Sequence, residues 1–136
     1  MSTKETLKNA SLKATPSRIA LLNALRKGEG PMTVEELHND INATDLVTVY
    51  RGLQSFIEHG LAREVHLKNG PTRYESAEGT HHHHVVCTQC GLIDELPGCD
   101  FSAAETLALS KSTHFATISE HTLEFFGSCH TCSRVV

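Results

Sequence analysis

Four of the five cysteines fall in two pairs, Cys87 with Cys90 and Cys129 with Cys132, each pair separated by two residues. Such a frame offers four soft thiolates to one tetrahedral zinc ion, at about 2.3 Å per Zn–S bond. With every ligand a protein sulfur, the site is coordinatively closed, and its expected role is structural rather than catalytic. A thioredoxin-type redox pair is the alternative chemistry for one such motif, but two motifs in a chain of 136 residues favour a metal. Cys99 stands apart and reads as a small buried hydrophobe.

Directly upstream of the first pair runs a row of four histidines, His81 to His84, leading into Val85 and Val86. On a strand, successive side chains alternate between faces, so His82 and His84 point one way and His81 and His83 the other. One strand can then supply two imidazoles to each of two metal sites on opposite faces. The plainer reading is a solvated polar run, and the neighbouring cysteine frame argues against it. Imidazoles combined with carboxylates suit Fe2+, Mn2+ or Zn2+. The acids near in sequence or on predicted neighbouring elements are Glu75, Glu95 and Glu105, and His121 is a further imidazole on the last predicted strand. Asp94, Glu124, His38, His59 and His114 read one by one as surface or packing groups.

The elements that must position these groups follow from periodicity and caps. Residues 3–11 form a weak helix candidate, and Thr15 with Pro16 begins a helix that Gly28 ends. Thr33 and Glu36 match a capping box for a short helix through Leu37 and Ile41. Asp45 caps a further helix to His59, closed by Gly60 in the left-handed region. Its buried stripe is expected at Leu46, Val49, Leu53, Phe56 and Ile57, leaving Thr48, Arg51, Gln54 and Ser55 outward and Tyr50 at the border. Strand candidates at 61–68 and 72–76 flank Asn69 and Gly70, a hairpin signal. Together these make a winged helix-turn-helix, a module that sets a helix in the DNA major groove. The second half reads as a small α/β unit: strands at 82–86 and 92–96, a helix at 101–112 and a strand at 115–126. The fold class is therefore α+β, with residues 1–76 the winged helix, 77–80 a hinge and 81–136 a small metal-binding α/β unit.

Charge is unevenly spread. The net charge is −4. Yet residues 1–27 carry Lys4, Lys8, Lys13, Arg18, Arg26 and Lys27 against Glu5 alone. From His81 onward, Lys111 and Arg134 face six acids. A basic front and an acidic, histidine-rich rear suit a chain that meets a polyanion at one end and cations at the other. No run approaches the roughly 20 apolar residues of a membrane span, and no secretory leader is visible, so the expected setting is the cytoplasm. No motif joins an open metal position to a general base, so no enzymatic activity is expected.

Four segments in order resemble the ferric uptake regulator family of metal-dependent repressors. They are Leu12 to Arg18, Thr48 to Arg51 with Leu53, His81 to Gly91, and His121 to Cys132. The resemblance implies a homodimer that binds a double-stranded DNA operator. It implies structural Zn2+ at Cys87, Cys90, Cys129 and Cys132, and a sensory divalent ion at Glu75, His82, His84 and Glu95. A second site would use His81, His83, His121 and a helix carboxylate, Glu105. Tyr50 and Arg51, with Lys13, Arg18 and Thr48, take the DNA-contacting positions. Two departures leave the regulatory ion open among Fe2+, Mn2+ and Zn2+. The loop at Gly30, Pro31 and Met32 lacks the histidine that iron- and peroxide-sensing members supply, for which Glu64, His66 or water could substitute. Ser76 and Ala77 stand where zinc sensors often have a cysteine. An iron-responsive repressor is the first reading, and a zinc-uptake or peroxide-responsive regulator the alternative.

Overall fold

The computed structural model describes all residues except 43–44, 68–69, 79–81, 99 and 135–136. The chain divides into two compact units, Met1–Gly79 and Thr80–Val136. The first holds helices α1 (Thr3–Asn9), α2 (Pro16–Lys27), α3 (Val34–Ile41) and α4 (Leu46–Glu58), followed by strands β1 (Ala62–Val65) and β2 (Arg73–Ser76). The second holds β3 (His82–Cys87), β4 (Ile93–Pro97), α5 (Ser102–Lys111), β5 (Glu124–Gly127) and α6 (His130–Ser133).

Local chemistry starts α2, α3 and α4 where the caps predict. The side chains of Thr15, Thr33 and Asp45 accept from the backbone N–H groups of Arg18, Glu36 and Thr48, satisfying donors that a helix start leaves open. At Thr33 the expected return bond from Glu36 gives way to an ion pair, because the Glu36 carboxylate lies 3.3 Å from Arg73 on the wing. Gly60 takes φ +76° just past α4, as the left-handed stop requires.

Leu7, Leu21, Leu22, Leu37, Val49, Leu53, Phe56 and Tyr74 interlock in the core of the first unit. Each such side chain contributes roughly 1.5–3 kcal/mol on burial. Gly52 lets α2 and α4 close: a Cβ there would come 2.8 Å from Leu21 Cδ2. β1 and β2 pair antiparallel, Ala62 opposite Ser76 and Val65 opposite Arg73, forming a wing. Met32 and Tyr74 exchange backbone hydrogen bonds of 2.9 and 2.7 Å, stitching the loop before α3 to the wing. The Asn69 part of the hairpin signal lies outside the described residues. The strands are shorter than the expected 61–68 and 72–76.

In the second unit the sheet order is β4-β3-β5, with β3–β4 antiparallel and β3–β5 parallel. Parallel pairing demands a crossover, which α5 supplies. Two expectations need correction. The last strand is Glu124–Gly127 alone, and residues 115–123 form neither helix nor strand. β-branched and aromatic residues there mimic a strand, but only four residues find a partner on β3. Leu46, expected in the α4 stripe, is 42% exposed, because the first turn of α4 projects beyond the core.

Candidate metal centre and nucleic-acid interface

The Sγ atoms of Cys87, Cys90, Cys129 and Cys132 all lie within 4.8 Å of one another. β3 ends at Cys87, the turn after it carries Cys90, and Cys129 caps α6, a helix the sequence reading missed. Parallel pairing sets Cys87 opposite Gly127 and brings the two cysteine pairs together. Cys90 Sγ and Cys129 Sγ stand 3.7 Å apart, far from the roughly 2.05 Å of a disulfide. A tetrahedron with Zn–S bonds of about 2.3 Å has edges of about 3.8 Å, so the spacing and the all-thiolate donor set fit zinc.

The thiols are not equivalent. Backbone N–H groups, that of Cys129 first and then those of Cys90 and Gln89, pull the Cys87 thiol down to about 6. Cys132 is pushed up to about 12 by hydrogen bonding with the side chains of Cys129 and Cys87. For Cys90, the Leu92 N–H favours the thiolate, but the Cys87 and Cys129 sulfurs together with desolvation outweigh it and raise the value. One thiolate forms readily and discourages the next, a conflict that a divalent cation resolves.

Upstream on β3 the histidines alternate as expected, with His81 outside the described residues. On one face, His82 and His84 meet edge to face with ring centroids 4.9 Å apart. His82 Nε2 lies 3.1 Å from Glu95 Oε1 on β4, and His84 Nδ1 lies 3.3 Å from Glu124 Oε2 on β5. Glu124, expected to be a solvated surface acid, thus belongs to this cluster. Its register opposite His84 puts it there, and a strand partner of that kind is invisible in a single sequence.

On the opposite face, buried His83 directs Nδ1 to the Leu123 carbonyl at 2.9 Å. A carbonyl only accepts, so Nδ1 carries a proton and Nε2 is the ring atom left to meet a further partner. His121 Nδ1 lies 2.7 Å from Glu105 Oε1, which orients that ring in the same sense. The two Nε2 atoms face each other at 3.2 Å, near the roughly 3.4 Å edge of a tetrahedral Zn–N set. Phe101, which the sequence reading passed over, packs edge-on against both rings at 5.6 and 5.5 Å. Glu105 therefore reaches this face through the far nitrogen of His121, the position of a carboxylate that holds a ligand in place.

In the first unit, Arg18, Thr48 and Arg51 line one open groove between α2 and α4, together with Thr15, Ser17 and Ser55. Arg18 donates to the Lys13 carbonyl at 3.0 Å, fixing the approach to α2. Tyr50 is exposed on α4. Of the expected metal ligands in this unit, Glu75 accepts from Arg63 Nε at 2.8 Å, its cross-strand partner on β1. Glu64 and His66 pair with each other at 2.9 Å.

The sequence pattern of the ferric uptake regulator family matches residues 9–126. The chain belongs to this family. The family match stops short of Cys129, so the second cysteine pair stands on its geometry. The ferric uptake regulation protein of Bordetella parapertussis is 30% identical, over 98% of this chain and 99% of that protein. The crystal structure of the Vibrio cholerae ferric uptake regulator is 27% identical, with a TM-score of 0.75 over 93% of this chain and 98% of that one. The Campylobacter jejuni peroxide stress regulator is 32% identical, with a TM-score of 0.68 over 97% of this chain and all of that one. As a ferric uptake regulator family member, this chain is a metal-responsive transcriptional regulator built from a winged helix and a small α/β unit. Among its described residues no helix is long and apolar enough to cross a membrane.

Proposed function

We propose that this chain is a homodimeric repressor, acting in the cytoplasm, that holds an operator when a regulatory divalent ion is bound and releases it when the ion leaves. The winged helix at 1–76 reads DNA, 77–80 is the hinge, and 81–136 binds metal and dimerises. The observation that carries the reading is the alternation on β3: His82 and His84 meet carboxylates on one face while buried His83 meets His121 on the other. A structural zinc at Cys87, Cys90, Cys129 and Cys132 clamps the same strand. His82, His84 and Glu95 form the sensory set, with Glu124 added by its contact to His84. The position of Glu75 in the family resemblance supports it as a further ligand. His81, His83 and His121 form the second set, with Glu105 holding His121.

Lys13, Arg18, Thr48, Tyr50 and Arg51 contact the operator. Arg51 suits a guanine edge or a phosphate, and Lys13 contributes charge. The dimer is supported by the apolar side chains the second unit leaves exposed, among them Leu92, Leu107, Phe115 and Phe125. Iron is the regulatory ion favoured by the names of the curated relatives.

The ion can act only if it binds the DNA-competent arrangement more tightly than the open one. The test is stepwise chelation with metal analysis while operator binding is followed by anisotropy. The exchangeable ion should leave first and take operator affinity with it, refilling should restore both, and zinc should stay. Affinity that ignores both steps would sink the reading.

A second reading, peroxide sensing, is favoured by the similarity to the Campylobacter jejuni peroxide stress regulator. It requires an added oxygen on His82 or His84 after peroxide treatment of the Fe2+-loaded protein. Mass spectrometry that finds both histidines unmodified rules it out.

A further inference from the structure

We propose that Val47 packs against a thymine methyl in the major groove of the operator and so sets part of the sequence preference. The inference rests on the DNA-binding reading above and deepens it.

Val49, Leu53 and Phe56 form the buried stripe of α4. Residues on a helix step by about 100°, which sets Val47 in line with Arg51, Gln54 and Glu58 on the ridge opposite that stripe. Val47 is 55% exposed there and Tyr50, nearly one turn on, is 49% exposed. A β-branched side chain on the outer face of a helix gains nothing from core packing and loses rotamer freedom. The stability of the unit therefore gives no reason for a valine at this point.

Its surroundings supply one. Val47 and Tyr50 make an exposed apolar spot on the first turns of the helix, next to Arg51 on the ridge of Val47, which also lines the groove that holds Arg18. Cations next to an apolar spot match a polyanion that carries methyl groups. In a helix-turn-helix, residues near the start of the second helix meet the base edges. A valine has no donor or acceptor with which to read a base. The apolar feature of the major-groove edge is the thymine C5-methyl, absent from the other three bases.

The experiment selects duplexes from a random pool with the metal-loaded protein, then replaces each selected thymine in turn with deoxyuridine, which lacks only the methyl. Wild type should lose about fourfold in affinity at one thymine per half-site, and about fifteenfold when both half-sites are changed, as expected for burying one methyl each. Val47→Ala should bind the thymine duplex as weakly as wild type binds the deoxyuridine duplex, and should be insensitive to that replacement. Circular dichroism checks that the variant is folded, and the deoxyuridine scan on wild type stands without any variant. Wild type indifferent to every replacement, or Val47→Ala as sensitive as wild type, overturns the proposal. A pool that yields no enriched sequence overturns it together with the DNA-binding reading. An enriched sequence without methyl sensitivity leaves that reading intact and removes Val47 alone.

Discussion

His83 and His121 face each other through their Nε2 atoms at 3.2 Å, their rings stacked and each Nδ1 anchored elsewhere. At that distance the two nitrogens share either a proton or a metal ion. The anchors, a backbone carbonyl and the Glu105 carboxylate, aim both Nε2 atoms at one point. Glu105→Gln weakens that hold on His121 while leaving both rings present. It should lower affinity for an ion at the His83–His121 site by about 10- to 100-fold, as loss of such a supporting carboxylate does. Titration with a competing chelator measures this. Unchanged affinity would show that Glu105 serves packing alone.

Replacing any one of the four frame cysteines should remove the structural zinc and unfold the second unit selectively. The first unit has its own core and should keep it. Cys132→Ser is therefore expected to lose zinc in elemental analysis while retaining helical circular dichroism from α2 and α4. Simultaneous collapse of both units would contradict this.

Zinc affinity should rise steeply with pH. Cys90 and Cys132 hold their protons above the ordinary thiol value, so zinc must displace at least two protons at pH 7.5, and Cys87, ionised above about 6, adds little. Calorimetry in buffers of different ionisation enthalpy counts them, and fewer than two contradicts the account. For the metal-free unit the signs oppose. The lowered Cys87 value contributes stability that is complete above about 9 and fades as pH falls through about 6. The raised Cys132 value contributes stability that is complete below about 9 and is lost as pH rises through about 12.

Arg26 on α2 grips Glu78 with two bonds, 2.8 Å from Nε and 2.7 Å from Nη2. The same guanidinium donates to Thr6 at 2.6 Å and Thr3 at 3.2 Å, so it ties α1, α2 and the end of the first unit together. Arg26→Ala should destabilise that unit by about 1 kcal/mol, a partly exposed pair being worth no more. Glu78→Gln should cost less, because the threonine contacts survive. Bonding to Arg26 lowers the Glu78 value, so its contribution is present above the ordinary carboxylate value and lost as pH falls through the lowered one. Urea unfolding near pH 7 and near pH 3 checks both claims.

Lys13→Ala and Arg51→Ala should fail differently. Loss of a phosphate contact at Lys13 weakens all sequences alike and reduces the salt slope by about 0.9 per lysine. Loss of Arg51, if it reads a guanine, should relax preference at one position by about 1–3 kcal/mol. Anisotropy over a salt series with matched and mismatched duplexes separates the two.

Caps, glycine stops and the cysteine spacing were legible in the sequence because each is a local rule written in adjacent residues. Thr15, Thr33, Asp45 and Gly60 all act within one turn of their own position. What escaped was non-local. Glu124 joins His84 only through parallel strand register, and Phe101 joins His83 and His121 only through the α5 crossover. The stretch at 115–123 has strand-like residues but no strand to pair with, and Leu46 keeps helical spacing past the edge of the core.

The cysteine frame also sets an order of assembly. Its last ligand, Cys132, leaves the ribosome well after the first, Cys87, so no nascent chain can close the frame until nearly all of β3, α5 and β5 has emerged. The packing core of the first unit is complete by Tyr74, before any cysteine has been made. Domains fold largely in the order they are synthesised. Every new copy therefore has a finished winged helix before it has a place to put its zinc.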